Sequence, residues 1–211
     1  MKIHECTQGS AEWHLARAGV ITASNFKTAR SRLKKTGEFS EAARNYAFRV
    51  AVETISGSPM DEGFETWQMR RGTELEPEAR DLYSIRTGHT VDLAGFVTTD
   101  CGSYGASADG LIADDGGLEI KCLVSPERIR DAILDHDISE WYDQVQGGMW
   151  ITGRDWWDFV IYCPALCGVN RELTVWHVER DDDYIRALEE DLSQFAGLVN
   201  LYINKLAQKA A

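Results

Sequence analysis

The sequence has no long run of apolar residues, few cysteines and no excess of positive charge. A membrane-spanning helix needs about 18 or more consecutive apolar residues, and no such run occurs in the 211 residues. The first residues, Met-Lys-Ile-His-Glu-Cys-Thr-Gln-Gly-Ser, also lack the apolar core of a secretory signal. These absences predict a soluble protein of the cytoplasm.

The cysteines are five in number and scattered along the chain. An odd, scattered set argues against a disulfide framework and fits a reducing compartment. Cys163 and Cys167 lack the Cys-x-x-Cys spacing of zinc and iron–sulfur sites. We therefore expect most of the cysteines to be small buried hydrophobic residues.

The net charge of −12 argues against a nucleic-acid partner, because binding to phosphates depends on Lys and Arg. One basic segment without any acidic residue is the exception, and it contains Lys27, Arg30, Arg32, Lys34 and Lys35. This run is compatible with a local DNA-binding track. A solvated basic loop is the more common explanation of such a charge run.

The chain has no internal repeat and no linker that would divide it, which predicts a single domain over residues 1–211. Helical patterns dominate from about 8 to 87. Strand patterns and crossing helices follow from about 88 to 180, and an amphipathic helix closes the chain from about 182 to 206. Helices followed by a small mixed sheet predict an α/β (α+β) fold.

Local signals predict the element boundaries. The residues suited to cap helices are Ser10, Thr22, Ser24 and Ser40. The helical pattern from about Glu65 to Thr87 contains Gly72 and Pro77, which predict an interruption, a first turn or a kink. A further helix is predicted from about Ser139 to Thr152, stopped at Gly153.

Residues 90–123 have the spacing of strands rather than of helices. Asp114-Asp115-Gly116-Gly117 is typical of a hairpin turn, which would pair residues 107–113 with 117–122. Two more strands are predicted at 156–162 and 172–179.

Three charged residues on this hairpin are candidates for chemistry. Glu119 and Lys121 share a strand face, and Asp109 would lie near Glu119 across the ladder. Asp109, Glu119 and the carbonyl of Ile120 would form half of a magnesium site. Lys121 could then orient water and balance the charge on a scissile phosphate.

A surface hairpin held by salt bridges remains an alternative for these residues, because a Glu-x-Lys triplet arises easily by chance in an acidic chain. The pattern Asp, about ten residues, Glu-x-Lys is nevertheless that of the PD-(D/E)xK, restriction-endonuclease-like core, with a small central mixed sheet flanked by helices.

Further stretches make the pattern specific, and they occur in a fixed order: Ala11-Glu12-Trp13-His14, Arg17 to Ser24, Gly72 to Glu76, Ser107 to Leu111, Gly117 to Cys122 and Gln144-Val145-Gln146. Together they resemble the phage lambda exonuclease family, also described as YqaJ-type viral recombinases, over most of the chain. The resemblance implies a ring-shaped homotrimer that depends on Mg²⁺, with Mn²⁺ able to substitute. It also implies processive 5′→3′ digestion of one strand of linear duplex DNA, beside a phage single-strand annealing protein in the host cytoplasm.

The resemblance also implies residue roles. It assigns metal binding to Asp109 and Glu119 and catalysis to Lys121, and it adds Glu76 and Gln144 to the site, Glu76 through a second metal or a water. The 5′-phosphate pocket falls on three residues: Arg17, Ser24 and Ser107. Arg17 suits this role physically, because its guanidinium can bind phosphate with two hydrogen bonds.

Some of these assignments have ordinary alternatives. An acid such as Glu76 is favourable near any helix start, and an amide such as Gln144 is more often a satisfied core group. The basic run falls where the family grips duplex DNA, and Met69 where it places an apolar wedge, although a helical Met is usually core filling. Ala108 and Leu123 stand where the family usually has proline, so loop geometry is expected to differ there.

Two alternative functions remain open. The first is a structure-specific or site-specific endonuclease on the same core, which would nick closed circular DNA. The second is a non-catalytic DNA-binding module whose charged triad has a structural role.

Overall fold

The computed structural model describes residues 1–60 and 67–208, with the backbone alone at Met69. In these ranges no helix is both long and apolar enough to cross a membrane. The α-helices are α1 (Ala11–Arg17), α2 (Phe26–Arg30), α3 (Glu41–Ser56), α4 (Trp67–Thr87), α5 (Pro126–Ile133), α6 (Tyr142–Thr152) and α7 (Asp182–Ala207). Two short 3-10 helices lie at Ala23–Asn25 and Pro164–Val169.

The strands form two mixed sheets. They are β1 (Lys2–His4), β2 (Ile21–Thr22), β3 (Val91–Asp92), β4 (Phe96–Thr98), β5 (Tyr104–Ala106), β6 (Gly110–Ile112), β7 (Gly116–Cys122), β8 (Trp156–Tyr162) and β9 (Leu173–Glu179). The order is β1-β4-β5-β2 in the smaller sheet and β3-β6-β7-β8-β9 in the larger one. Strands β7 and β8 are parallel, and the chain crosses between them through α5 and α6. This architecture confirms the predicted α/β class with a mixed sheet between helices.

The two faces of β7 point to different layers, because successive side chains of a strand alternate. Leu118 and Ile120 pack in the same apolar cluster as Ala79 and Tyr83 of α4. Glu119 and Lys121 face the other way, toward α6. Strand β7 is therefore covered on one side by α4 and carries Glu119 and Lys121 on the other.

The predicted caps are confirmed at two of four positions. Ser10 and Ser40 accept hydrogen bonds from the backbone N–H groups of Trp13 and Ala43, and so cap α1 and α3. Thr22 and Ser24 cap nothing with their side chains. The Thr22 hydroxyl is instead engaged by the Asn25 amide at 2.9 Å.

The predicted interruption near Gly72 and Pro77 is wrong, because α4 runs through both residues. Ala79 and Tyr83, two and six residues after Pro77, are fully buried and pack in the same apolar cluster as Leu118 and Ile120 of the sheet. This packing outweighs the local cost of a proline inside the helix. The predicted start at Glu65 lies outside the described residues.

Helix α6 begins at Tyr142 rather than Ser139, because the Asp137 carboxylate accepts the Ser139 N–H at 2.8 Å and holds a turn there. Helix α5 was not predicted.

The predicted hairpin is present, but its glycines act differently from the prediction. The turn lies at residues 113–115, where Ala113 has a positive φ of 47°. Gly117 is already in β7, and a Cβ there would lie 2.4 Å from the Trp157 ring. Glycine is thus required by the close approach of that ring rather than by the turn.

All five cysteines are free, as predicted. The expectation that most are buried is wrong, since Cys163 alone is buried. Cys6 and Cys122 are half-buried, and Cys101 and Cys167 are exposed.

Candidate active site

Asp109 lies just before β6, where the hairpin holds it against β7. Its backbone N–H donates to the Leu118 carbonyl at 3.0 Å. Its side-chain Oδ2 accepts the Ile120 N–H at 2.7 Å. Two hydrogen bonds therefore fix both the backbone and the carboxylate, as the predicted cross-strand arrangement requires.

Glu119 is the centre of a charged group that also contains Asp109 and Lys121. Its Oε1 accepts hydrogen bonds from Lys121 Nζ at 2.5 Å and from Gln144 Nε2 at 2.6 Å. Glu119 is only 3% exposed, which excludes the alternative of a salt-bridged hairpin at the surface. Gln144 reaches this position from the first turn of α6.

Glu76 approaches the same group from α4 with a positively charged partner. Arg80, one turn later, donates from Nη2 to Glu76 Oε1 and from Nε to the Asp109 carbonyl, the latter at 3.0 Å. Arg80 thus joins α4 to the hairpin and balances the charge of Glu76. The carboxyl groups of Asp109 and Glu119 lie on the hairpin.

Burial and mutual repulsion raise the carboxyl pKa values. Burial, reinforced by the Asp109 carboxylate, raises the pKa of Glu119 to about 8 and that of Glu76 to about 7. Burial also raises the pKa of Asp109. Burial acts to lower the pKa of Lys121, but Glu119 and Asp109 outweigh it and the pKa lies above its ordinary value. An added cation would favour the ionised form of all three carboxyl groups.

The donor set fits a hard divalent cation. In the described part of the chain, no three His, Cys, Asp or Glu side chains form a ready-made metal site. Mg²⁺ commonly takes only one or two carboxylates and keeps several waters. Asp109 Oδ1 and Glu119 Oε2 accept no hydrogen bond from any described residue. They are available as such a pair, and Ile120, whose carbonyl is the third predicted ligand, lies between Glu119 and Lys121 on β7.

A second polar group lies between α1 and the segment before Asp109. Arg17 Nη1 and Trp13 Nε1 both donate to Ser107 Oγ, at 3.3 and 2.9 Å. The Arg17 guanidinium also stacks over the Trp13 ring at 4.0 Å. Trp13 therefore orients two of the three predicted phosphate ligands, Arg17 and Ser107.

The phosphate-binding candidates and the charged group line one pocket of about 180 Å³. Its lining includes Arg17, Ser24, Ser107, Asp109, Glu119, Lys121 and Gln144. Ser24, Lys121 and Gln144 also line a larger cleft of about 1070 Å³. The small pocket and the cleft are therefore neighbouring parts of one surface.

The basic run does not act as a unit. Lys27 alone of its five residues lines the cleft, within the part of the chain that the structure describes. Lys34 and Lys35 are exposed in a turn, and Arg32 donates to Gln194 Oε1 at 2.7 Å. Arg30 points inward to two carboxylates. The wedge predicted at Met69 falls outside the described side chains.

Trp13 and Arg80 are site residues that the sequence reasoning missed. Each lies four positions from a residue that was predicted, Trp13 before Arg17 and Arg80 after Glu76. Residues four apart share a helix face. The four-residue spacing from Arg17 and from Glu76 could therefore have identified Trp13 and Arg80 from the sequence.

The chain is similar to a known protein family and to exonucleases of known structure. The profile of the YqaJ-like viral recombinase domain matches residues 12–155. An alkaline exonuclease (LHK-Exo) from Laribacter hongkongensis is 32% identical in sequence, and the match covers 93% of this chain and 96% of that one. The TM-score is 0.81 for that enzyme and 0.82 for its complex with dAMP. A phage related exonuclease from Haemophilus somnus 129PT shares the fold at 17% identity, with a TM-score of 0.70 over 89% of this chain and 96% of that one.

Among curated proteins, no significant match was found. The structural likenesses confirm the predicted restriction-endonuclease-like core. The family profile covers well over half of the chain, and the Laribacter enzyme is similar across nearly all of it. The chain therefore belongs to the YqaJ-like viral recombinase family, the family that its motifs resemble.

Proposed function

We propose that this protein is a Mg²⁺-dependent exonuclease that digests one strand of linear duplex DNA in the 5′→3′ direction from 5′-phosphorylated ends. The observation that carries the proposal is the single pocket shared by Arg17, Ser107, Asp109 and Glu119. A terminal phosphate bound by Arg17 would leave the next part of the same strand beside the carboxylates. The similarity to an enzyme described as an alkaline exonuclease supports the exonuclease activity.

The metal would be held by Asp109, Glu119 and the Ile120 carbonyl. Bound there, Mg²⁺ would supply a Lewis acid for the phosphodiester and lower the pKa of a bound water. Glu76, held by Arg80, would contribute through a water or a second metal.

The chain's own cations and amide complete the site. The Lys121 ammonium, a quarter exposed and 2.5 Å from Glu119, would donate to the scissile phosphate and stabilise its developing charge. Gln144 would hold the Glu119 carboxylate in one orientation through the 2.6 Å hydrogen bond. Arg17, Ser24 and Ser107 would fix the 5′ end.

Duplex DNA would lie along the cleft. Lys27 lines it, and Lys34 and Lys35 are exposed in the turn that follows α2. These residues explain how a chain of net charge −12 could bind a polyanion, because local charge governs contact with phosphates. Arg32 would contribute at the periphery, and the family resemblance assigns Met69 the role of an apolar wedge between bases.

Family resemblance supports three further proposals. The protein would form a homotrimeric ring that traps the product strand and makes digestion processive. It would act with a phage single-strand annealing protein in recombination. Mn²⁺ would replace Mg²⁺.

The decisive experiment is digestion of linear duplex DNA labelled separately at each 5′ and 3′ end, with Mg²⁺ or with EDTA. We expect release of 5′-terminal label first, and only with Mg²⁺. Covalently closed circular DNA should remain intact. Nicking of the circle would instead favour an endonuclease, and DNA binding without any digestion would favour a non-catalytic module.

Replacing Arg17 with alanine is expected to remove the preference for 5′-phosphorylated over 5′-hydroxyl ends. A hydrogen bond to a charged group contributes about 1.5–3 kcal/mol, so the preference should fall by about 10- to 100-fold. Initial rates on the two otherwise identical duplexes measure it. An equal loss on both substrates would show that Arg17 supports folding instead.

Mg²⁺ binding is expected to release protons at pH 7 but few at pH 9. The raised pKa values of Glu119, about 8, and Glu76, about 7, mean that these groups hold protons at neutral pH that the metal must displace. In the metal-free protein Glu119 and Glu76 hold more protons in the folded state than in the unfolded chain between about pH 4.5 and 8. These two groups therefore lower the free energy of unfolding as pH rises through that window.

Calorimetric titrations with Mg²⁺ in buffers of different ionisation enthalpy would measure the released protons. The Glu119→Gln variant serves as the control and should release fewer. Identical binding enthalpies in all buffers at pH 7 would contradict the prediction.

A further inference from the structure

Helices α2 and α6 form adjoining walls of the cleft. Lys27 and Thr28 of α2 and Gln144 of α6 all line it. The two walls pack tightly, since a Cβ on Gly147 would lie 2.5 Å from the Phe26 ring. A shift of one wall must therefore displace the other.

An ion pair joins the same two helices one turn further along. Arg30 Nη1 donates to Asp143 Oδ1 at 2.5 Å, and Arg30 Nε donates to Asp191 Oδ2 of α7 at 2.8 Å. The Tyr184 hydroxyl donates to the same Asp143 oxygen. The side chains of Arg30 and Asp143 are only 22% and 11% exposed. The charge of Arg30 is therefore already balanced by carboxylates inside the protein.

Asp143 directly precedes Gln144, whose amide holds Glu119. The first turn of α6 has no side-chain cap, because Trp141 at the N-cap makes no such hydrogen bond. The carboxylate of Asp143 therefore anchors this turn through Arg30 and Tyr184. Since Asp143 is buried, losing Arg30 would leave its negative charge unbalanced next to Gln144 in the chain.

We propose that Arg30 is a positioning residue, which acts through Asp143 to hold Gln144 against Glu119, rather than a ligand of DNA. This inference rests on the proposed function. A DNA ligand would offer its guanidinium to the cleft, whereas that of Arg30 is directed at Asp143 and Asp191. The ion pair keeps the wall that carries Lys27 in register with the helix that carries Gln144.

The test is the Arg30→Lys variant, which keeps the charge but loses the planar fork. Misplacement by about 1 Å can cost about 100-fold, so kcat on linear duplex should fall by about 10- to 100-fold. KM should change less than about twofold, and the salt dependence of DNA binding should not change. Lys27→Met should show the opposite pattern, with a higher KM and a salt slope reduced by about 1.

Two comparisons separate positioning from general stability. Arg86→Lys is the matched control, because Arg86 pairs with the buried Glu172 and neither residue lines the cleft. Arg86→Lys should lower the thermal stability about as much as Arg30→Lys does, but it should leave kcat unchanged. In a Gln144→Ala background, Arg30→Lys should lower kcat no further, because both changes remove the hydrogen bond from Gln144 to Glu119.

Several outcomes would overturn the inference. Additive losses with Gln144→Ala would show that Arg30 acts elsewhere, and a raised KM with a smaller salt slope would show a DNA contact. An equal loss of kcat in Arg86→Lys would show a purely structural role. If Arg30→Lys does not fold, Asp143→Asn must reproduce the kcat loss, and a normal kcat there would refute the proposal. A wild-type protein without Mg²⁺-dependent digestion would instead refute the proposed function.

Discussion

Asp109→Asn is expected to abolish Mg²⁺-dependent digestion. The asparagine retains an oxygen for the Ile120 N–H, which Asp109 Oδ2 accepts at 2.7 Å, so the hairpin should stay intact. It loses the negative charge that a hard cation requires. Metal catalysis contributes several kcal/mol, so kcat should fall on the order of 10³-fold or more.

Asp114→Asn is the matched control for this variant, because Asp114 is exposed in the turn of the same hairpin. It should digest DNA at the wild-type rate. Calorimetry should show weakened Mg²⁺ binding for Asp109→Asn alone, while DNA binding in EDTA is unchanged in both variants. Undiminished Mg²⁺ binding with full activity in Asp109→Asn would place the metal elsewhere.

The Lys121→Met variant is expected to bind DNA and metal but to cleave very slowly. Methionine keeps the apolar stem and removes the ammonium that lies 2.5 Å from Glu119. Loss of a positioned proton donor or charge-stabilising group typically costs about 10²- to 10⁴-fold. The loss should fall on kcat, with little change in KM, because the group acts mainly in the transition state.

Single-turnover digestion at saturating Mg²⁺ measures this effect directly. Lys205→Met, at an exposed position near the end of α7, is the control and should behave as wild type. A fully active Lys121→Met protein would remove Lys121 from the mechanism. It would also weaken the proposed function, since the remaining carboxylates alone suit other metal-binding roles.

Short-range signals predicted much of this structure correctly. Ser10 and Ser40 cap helices because a cap depends on only a few neighbouring residues. The alternation of Leu118, Glu119, Ile120 and Lys121 predicted two faces of a strand, and the structure separates them as expected.

Contacts between distant parts of the chain explain what could not be predicted. Arg30 looked like part of a basic loop, and only its meeting with Asp143 and Asp191 shows that its charge is balanced. Pro77 looked like a helix breaker, and only the packing of α4 on the sheet explains its place within the helix. Local sequence reports neither the partner of a side chain nor the surface that a helix covers.

The parallel pairing of β7 with β8 also determines when, during synthesis and folding, the proposed active site can form. Gly116 to Cys122 pair with Trp156 to Tyr162, and Gln144 reaches Glu119 from the crossover between them. Pairings between such distant segments are costly to close and form slowly. A chain that has not been extended beyond α6 carries Asp109, Glu119 and Lys121 without the strand that supports them. The proposed active site therefore cannot form on a growing chain until β8 has been synthesised and has paired with β7.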